Sequence, residues 1–205
     1  NIVSGKECLT KLSKDQCIER GVADSVLNDN NFIAIRGEIE GIGDFDPNFW
    51  NLSLNDAMII DPQIRKFLEH CWWALEQSGY IRLRKEKRIG VYAGMSNSKY
   101  FETRISGNQK LSSLATAWEI QNMSDKDFLA TRISYLLGLT GPSLNINTAC
   151  STSLVAIVEA CKNLVNGSCD MALAGGVSFS MPENHGYIYN DGLIFSKDGH
   201  CRSFD

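Results

Sequence analysis

The stretch Ser143-Leu-Asn-Ile-Asn-Thr-Ala-Cys-Ser-Thr-Ser-Leu154 decides how the rest of the chain is read. Leu144 and Ile146 alternate with Asn145 and Asn147, the period of two expected of a strand. From Leu154 the period changes. Leu154, Ile157, Val158, Cys161, Leu164 and Val165 recur at helical spacing, and Gly167 stands where a helix would stop. Ser151 is a residue type favoured as an N-cap. The pattern therefore predicts a strand, a sharp turn and a helix, with Cys150 at the junction. Unpaired N–H groups and the positive end of the helix dipole favour an anion there. A thiol so placed gains thiolate character and nucleophilicity, and the same N–H groups can hold a developing oxyanion. Spacing alone leaves open the plainer alternative, that Cys150 is one more small buried apolar residue.

Working outward, Arg88-Ile-Gly-Val-Tyr-Ala-Gly94 reads as a short buried strand flanked by glycines. Ser124-Asp-Lys-Asp127 fits a capping box, and Phe128, Leu129, Ile133, Leu136 and Leu137 predict a helix ended by Gly138. Gly141-Pro142 is a turn feeding the central strand. Arg132 is better read as part of a structural ion pair than as an anion site. Cys169 to Phe179 is a continuous apolar strand of the kind covered on both faces, and its Gly175-Gly176 pair permits close approach by another backbone or a ligand. Asp61-Pro62 opens the clearest helix, with Asp61 as N-cap and Pro62 at N1. Its apolar stripe is Ile64, Phe67, Leu68, Cys71, Trp72 and Leu75, and Gly79 ends it. His70 and the Trp72-Trp73 pair read as structural, the tryptophans as core. Strands alternating with helices place the chain in the α/β class.

The flanks are less regular. Ser13-Lys-Asp-Gln16 fits a capping box, with Leu12 and Cys17 as its apolar staple, on a short helix ending near Gly21. Ser25 to Asn31 reads as a loop, and Phe32 to Ile39 as an extended segment. Asp44 to Phe49 reads as a turn pinned by Phe45 and Phe49. Ser96 to Met123 reads as a long polar connection with one helical turn near Leu111 to Trp118, a length usually functional or interfacial. Residues 1–60 are expected to form a peripheral helix and loop region, and 61–205 the core that carries Cys150.

Composition excludes several function classes. With 205 residues, a net charge of −4 and a pI of about 5.4, nothing favours binding to nucleic acid or to an anionic membrane. No apolar run approaches the roughly 20 residues of a membrane span. The seven cysteines are odd in number and form no C-x-x-C pair, which fits reduced, cytoplasmic usage. His200-Cys201 lacks a second pair at ligand spacing, so no metal site is expected. No phosphate-loop glycine pattern occurs.

Thr148-Ala-Cys-Ser-Thr-Ser-Leu154 resembles the active-site signature of β-ketoacyl synthases, in particular ketosynthase domains of modular type I polyketide synthases and polyketide/nonribosomal peptide hybrids. Phe45-Asp-Pro-Asn-Phe49, Asp61-Pro-Gln-Ile-Arg65, the run from Asp127 to Pro142, and Asp198 to Asp205 match the same family in the same order. Ile60 and Ile64 depart from its usual residues. The resemblance implies a thiolase-like α/β fold, present as an incomplete N-terminal half with a mostly parallel sheet covered by helices. It implies that Cys150 is the catalytic nucleophile and carries an acyl thioester. The expected reaction is decarboxylative Claisen condensation with a malonyl-type unit.

The same resemblance implies an acyl carrier protein as partner, with substrates on its phosphopantetheine and no directly bound cofactor. It further implies neighbouring synthase domains, a homodimer and a cytoplasmic setting. The family supplies two catalytic histidines and a lysine from a second half that would follow Asp205. This stretch alone is therefore expected to be incompetent for condensation, and to expose apolar surface where that half packs. His185 and His200 fall in a loop of the family and are not its catalytic histidines. Two alternatives keep the same fold: a non-elongating module that docks or transacylates carrier-bound chains, and a thiolase-like condensing enzyme using CoA thioesters.

Overall fold

The computed structural model describes residues 3–97, 99–113, 115–179 and 185–202. Its strands are β1 (Leu9–Lys11), β2 (Phe32–Ile33), β3 (Ile35–Gly37), β4 (Ile89–Met95), β5 (Ser143–Asn145), β6 (Met171–Val177) and β7 (Tyr187–Ile188). Its helices are α1 (Lys14–Glu19), α2 (Asp24–Leu27), α3 (Leu54–Ile59), α4 (Pro62–Gln77), α5 (Gln109–Ser112), α6 (Ala117–Ser124), α7 (Leu129–Leu137) and α8 (Thr152–Val165). The chain falls into two compact units, residues 1–41 with 182–205, and residues 42–181.

In the first unit, β1 pairs antiparallel with β3, and β2 pairs antiparallel with β7. The capping box at Ser13 forms: its Oγ accepts from Gln16 N–H at 3.2 Å, and Gln16 Oε1 accepts from Ser13 N–H at 2.8 Å. Leu12 and Cys17 are buried together with Val22. The segment expected as a loop after Asp24 contains one helical turn, α2.

The second unit is built on a parallel sheet of order β5-β4-β6. β4 is buried along its whole length. Side chains alternate across a strand, and here the alternation sorts the core. Ile89, Val91, Ala93 and Met95 pack with residues of α4 and α7 on one face. Tyr92 packs with Ala156, Ala160 and Cys169 on the other, under α8. Helices thus cover both faces of the sheet at β4, as the sequence predicts, whereas β6, expected to be covered on both faces, is only partly buried, with Ala174 and Gly176 exposed. On α4, Asp61 caps Gln63 N–H at 2.7 Å, and Ile64, Leu68, Cys71 and Leu75 are buried as expected.

Three expectations need correction. Trp73 is 51% exposed, because it lies one residue past the buried stripe of α4 and its ring packs against His70 instead. The connection from Ser96 to Met123 is more helical than its polarity suggests. Thr116 and Glu119 form a capping box that starts α6, and Ile105 and Ile120 bury against Ile59. Ser124 does not cap a helix. It ends α6 and donates to Ile120 O at 2.9 Å, while Asp125 accepts from Asp127 N–H at 3.0 Å.

Candidate active site

All three parallel strands end at the same edge of the sheet, and that edge holds the cleft. It has a volume of about 710 Å³ and contains Cys150. Its walls are Gly94 to Asn97 from the end of β4, Gly176 to Ser178 from the end of β6, and Asn147, Ala149, Thr152 and Ser153 around the turn after β5. Lys126 completes the lining. Ligands of open α/β sheets bind beyond the carboxyl ends of the strands, which is the position found here.

The turn is built for exposure. Cys150 is exposed, which removes the reading of it as a buried apolar residue. Ala149, immediately before it, has φ 53°, a left-handed conformation uncommon outside glycine. Such a bend costs roughly 1–2 kcal/mol and recurs at strand-to-helix nucleophile turns. A short hydrogen-bonded turn, Ala149–Ser151, precedes α8. Within it, Ser151 Oγ donates to Thr148 O at 2.8 Å, and Thr152 Oγ1 accepts from Thr148 N–H at 3.0 Å and donates to Ala149 O at 2.8 Å. Ser151 stands at the predicted N-cap position, but its side chain makes no capping bond. Its hydroxyl secures the turn, so the first-turn N–H groups of α8 are not capped by it and remain suited to an anion.

Two glycines let this turn sit on the sheet. A Cβ on Gly94 would lie 1.9 Å from Ile146 O and 2.4 Å from Thr152 Cγ2. A Cβ on Gly176 would meet Ser153 Oγ at 2.7 Å. The sequence predicts close approach at the Gly175-Gly176 pair by another backbone or a ligand; the group that comes close there is the Ser153 side chain, and the tight backbone contact falls at Gly94, which the sequence does not signal. Asn145, at the end of β5, locks the strand to α7. Its Oδ1 accepts from Ala130 N–H at 2.9 Å, and its Nδ2 donates to Asp127 O.

Gln63 is a further positioning residue that motif reading passed over. It is 2% exposed, and its Oε1 accepts from Ser96 Oγ at 2.7 Å and from Phe179 N–H at 3.2 Å. Its Nε2 donates to Ser96 O at 3.3 Å. One side chain on α4 thus ties together the ends of β4 and β6 at the cleft. The signal was present: Gln63 lies four residues before Phe67, a polar side chain on an apolar helix face. Arg132 donates to Asn122 O at 3.1 Å rather than pairing with a carboxylate, and burial lowers its pKa, with the more distant charge of Asp56 opposing that shift.

His185 and His200 belong to the other compact unit. His200 Nδ1 lies 2.7 Å from Glu7 Oε1. Among the described residues, no group of three or more His, Cys, Asp or Glu could hold a metal ion, and no helix is long and apolar enough to cross a membrane.

The outer face of α8 departs from its predicted packing. Leu154, Ile157, Val158, Leu164 and Val165 are all exposed, from 40% for Leu164 to 90% for Val165, and Cys161 is exposed as well. The helix meets the sheet through its small residues, Ala156 and Ala160.

Residues 1–205 match the family model described as the N-terminal domain of β-ketoacyl synthase. The chain belongs to the β-ketoacyl synthase family. Ketosynthase twelve of the bacillaene polyketide synthase of Bacillus amyloliquefaciens superposes with a TM-score of 0.84 at 33% identity, over 98% of this chain and 35% of that one. The ketosynthase from module 1 of the same synthase gives 0.79 at 32% identity, over 100% and 34%. Among curated proteins, a phenolphthiocerol/phthiocerol polyketide synthase polypeptide of Mycobacterium tuberculosis is 41% identical over the whole chain, which spans 14% of its length. Polyketide synthase PksN of Bacillus subtilis is 32% identical, and the chain spans 4% of it. The thiolase-like fold and the polyketide ketosynthase kinship expected from the sequence both stand, and the chain corresponds to the N-terminal part of a ketosynthase domain.

Proposed function

We propose that Cys150 is the nucleophile of a polyketide ketosynthase and accepts an acyl group as a thioester. In the first step the Cys150 sulfur attacks the carbonyl of a carrier thioester. A new carbon–sulfur bond forms, the old one breaks, and the departing carrier thiolate takes up a proton. The tetrahedral oxyanion between these events is held by N–H groups at the start of α8. In the second step a malonyl-type thioester loses CO₂. The electrons of the broken carbon–carbon bond form an enolate, which attacks the Cys150-bound carbonyl, and the cysteine thiolate leaves. Enolate stabilisation is assigned to no residue of this chain.

The partners belonging to this reading are an acyl carrier protein presenting its phosphopantetheine thioester, neighbouring polyketide synthase domains and a second copy of the domain, all in the cytoplasm. No further cofactor is needed, because neither step changes an oxidation state that the substrates do not balance themselves. The observation that supports the proposal is that Cys150 is exposed and lines the cleft, directly after a left-handed alanine.

The test is incubation with a propionyl thioester of N-acetylcysteamine, followed by intact mass and peptide mapping. One propionyl group on the Cys150 peptide is expected, and none at that peptide in Cys150→Ala. Absence of acyl transfer to Cys150 in folded protein would overturn the assignment.

A further inference from the structure

Among the described residues, Lys126 is the single charged one lining the Cys150 cleft. Every other lining residue is neutral: Gly94, Met95, Ser96 and Asn97 on one wall, Gly176 to Ser178 on another, and the uncharged turn around the sulfur. Lys126 is held in place from outside the cleft. Its Nζ pairs with Asp127 Oδ1 at 3.2 Å, and Asp127 does not line the cavity. Asp127 is the more solvent-exposed partner, with a side chain 66% exposed against 34% for Lys126. Solvent screens the carboxylate more than the ammonium, so the pair leaves a positive field on the cleft side. Asp127, the next residue, is tied to the sheet, since its backbone oxygen accepts from Asn145 Nδ2 at the end of β5.

We infer that Lys126 forms an oxyanion-binding subsite beside Cys150, one that recognises a carboxylate or phosphate carried by the incoming thioester. The ammonium is a point charge with three donors, suited to either group. This subsite rests on the proposal that Cys150 is the acyl-accepting nucleophile. Its role is selection of substrate and orientation at the cleft, and it takes no part in the bond-making steps. In the sequence Lys126 falls inside the Ser124–Asp127 capping-box pattern, which carries no signal of a binding role.

The charge is tested with two alkylating reagents of similar size, anionic iodoacetate and neutral iodoacetamide. Both are applied to the intact chain, and the rate is read at the Cys150 peptide by mass spectrometry. A unit charge across a small aqueous cleft changes local anion concentration by about three- to tenfold at low salt. Lys126→Met is therefore expected to lower the iodoacetate to iodoacetamide rate ratio by about that factor. Reading the ratio cancels any change in the reactivity of the sulfur itself, which acts on both reagents alike, and circular dichroism reports that the variant has kept its fold. Lys126→Arg should retain the ratio, and Asp127→Asn should raise it.

Malonate and inorganic phosphate, added in separate arms at matched ionic strength, distinguish the two sources of the anion. The one that slows iodoacetate more in the parent chain than in Lys126→Met identifies the group recognised. A ratio unchanged in Lys126→Met, or equal competition in the two proteins, overturns the inference while leaving the nucleophile intact. Failure of both reagents at Cys150 would instead overturn the proposed nucleophile.

Discussion

Gly94→Ala puts the geometry of the site under direct test. The added Cβ would stand 1.9 Å from the carbonyl oxygen of Ile146 and 2.4 Å from Thr152 Cγ2. Ordinary contact begins near 3.4 Å, so the Ile146 carbonyl has to retreat by about 1.5 Å. That atom is backbone, and it sits beside the Ile146 N–H that donates to Ala93 O at 2.8 Å. Forced overpacking of this kind costs about 1–3 kcal/mol, and the strained hydrogen bond adds about 1 kcal/mol. A loss of about 2–4 kcal/mol is expected, a large share of the stability of an ordinary domain. For a chain of this length it corresponds to a fall in Tm of about 6–12 °C. Circular dichroism melts check the stability, and iodoacetamide alkylation at Cys150 checks the turn, which should lose its native rate. Gly43→Ala is the control, since its Cβ would meet nothing within 4 Å. A Gly94→Ala protein that melts with the parent and alkylates at the parent rate would refute the close approach of β4 to the turn.

Further outcomes follow from other parts of the structure. At Ala149, stability should fall in the order Gly, Ala, Val. Strain relief of about 1–2 kcal/mol exceeds the backbone-entropy cost of glycine, about 0.5–1 kcal/mol, whereas a β-branched residue is poorly tolerated at positive φ; urea midpoints of the three proteins check the order. Gln63→Leu should cost about 2–4 kcal/mol by removing the partners of Ser96 and of Phe179 N–H, and its denaturation midpoint measures it. Burial pushes the Cys71 thiol up to about 12 from an ordinary 9. The folded state then holds a proton that the unfolded chain has lost, so this contribution is complete below pH about 9 and is lost as pH rises towards about 12. Cys71→Ala should flatten the fall, read as denaturation midpoints taken across that window. Ile157→Lys on the bare face of α8 should reduce self-association, measured by concentration-dependent light scattering.

What was legible in the sequence was whatever repeats with a period or carries a cap. Asp61-Pro62, the stripe of α4 and the switch from strand to helix across Cys150 are all local patterns, and each appears where its spacing places it. The Cys150 position was readable for the same reason. Less was visible where one residue answers to distant neighbours. The apolar stripe of α8 says that a face wants burial, but not which face the sheet takes. The sheet takes the alanines, because only small side chains let the helix come close above Tyr92. Gln63 is a single polar letter, and its three bonds run to residues 33 and 116 positions away. The left-handed Ala149 carries no compositional mark at all, since glycine or asparagine would be the usual sign. The pairing of β2 with β7 joins segments some 155 residues apart, a closure that no local period encodes.

Placing the cleft just past the last ladder bonds of three parallel strands separates two kinds of constraint. Residues such as Asn97, Lys126 and Ser178 touch whatever enters, but they hold none of the register that aligns β4 with its neighbours. Exchanges at these tips are therefore cheap for folding and immediate for selectivity. A lineage of such folds can diversify what it binds by rewriting the rim while the platform beneath stays put, and, on the proposed acyl-accepting role of Cys150, a search for altered preferences belongs at those tips rather than in the core.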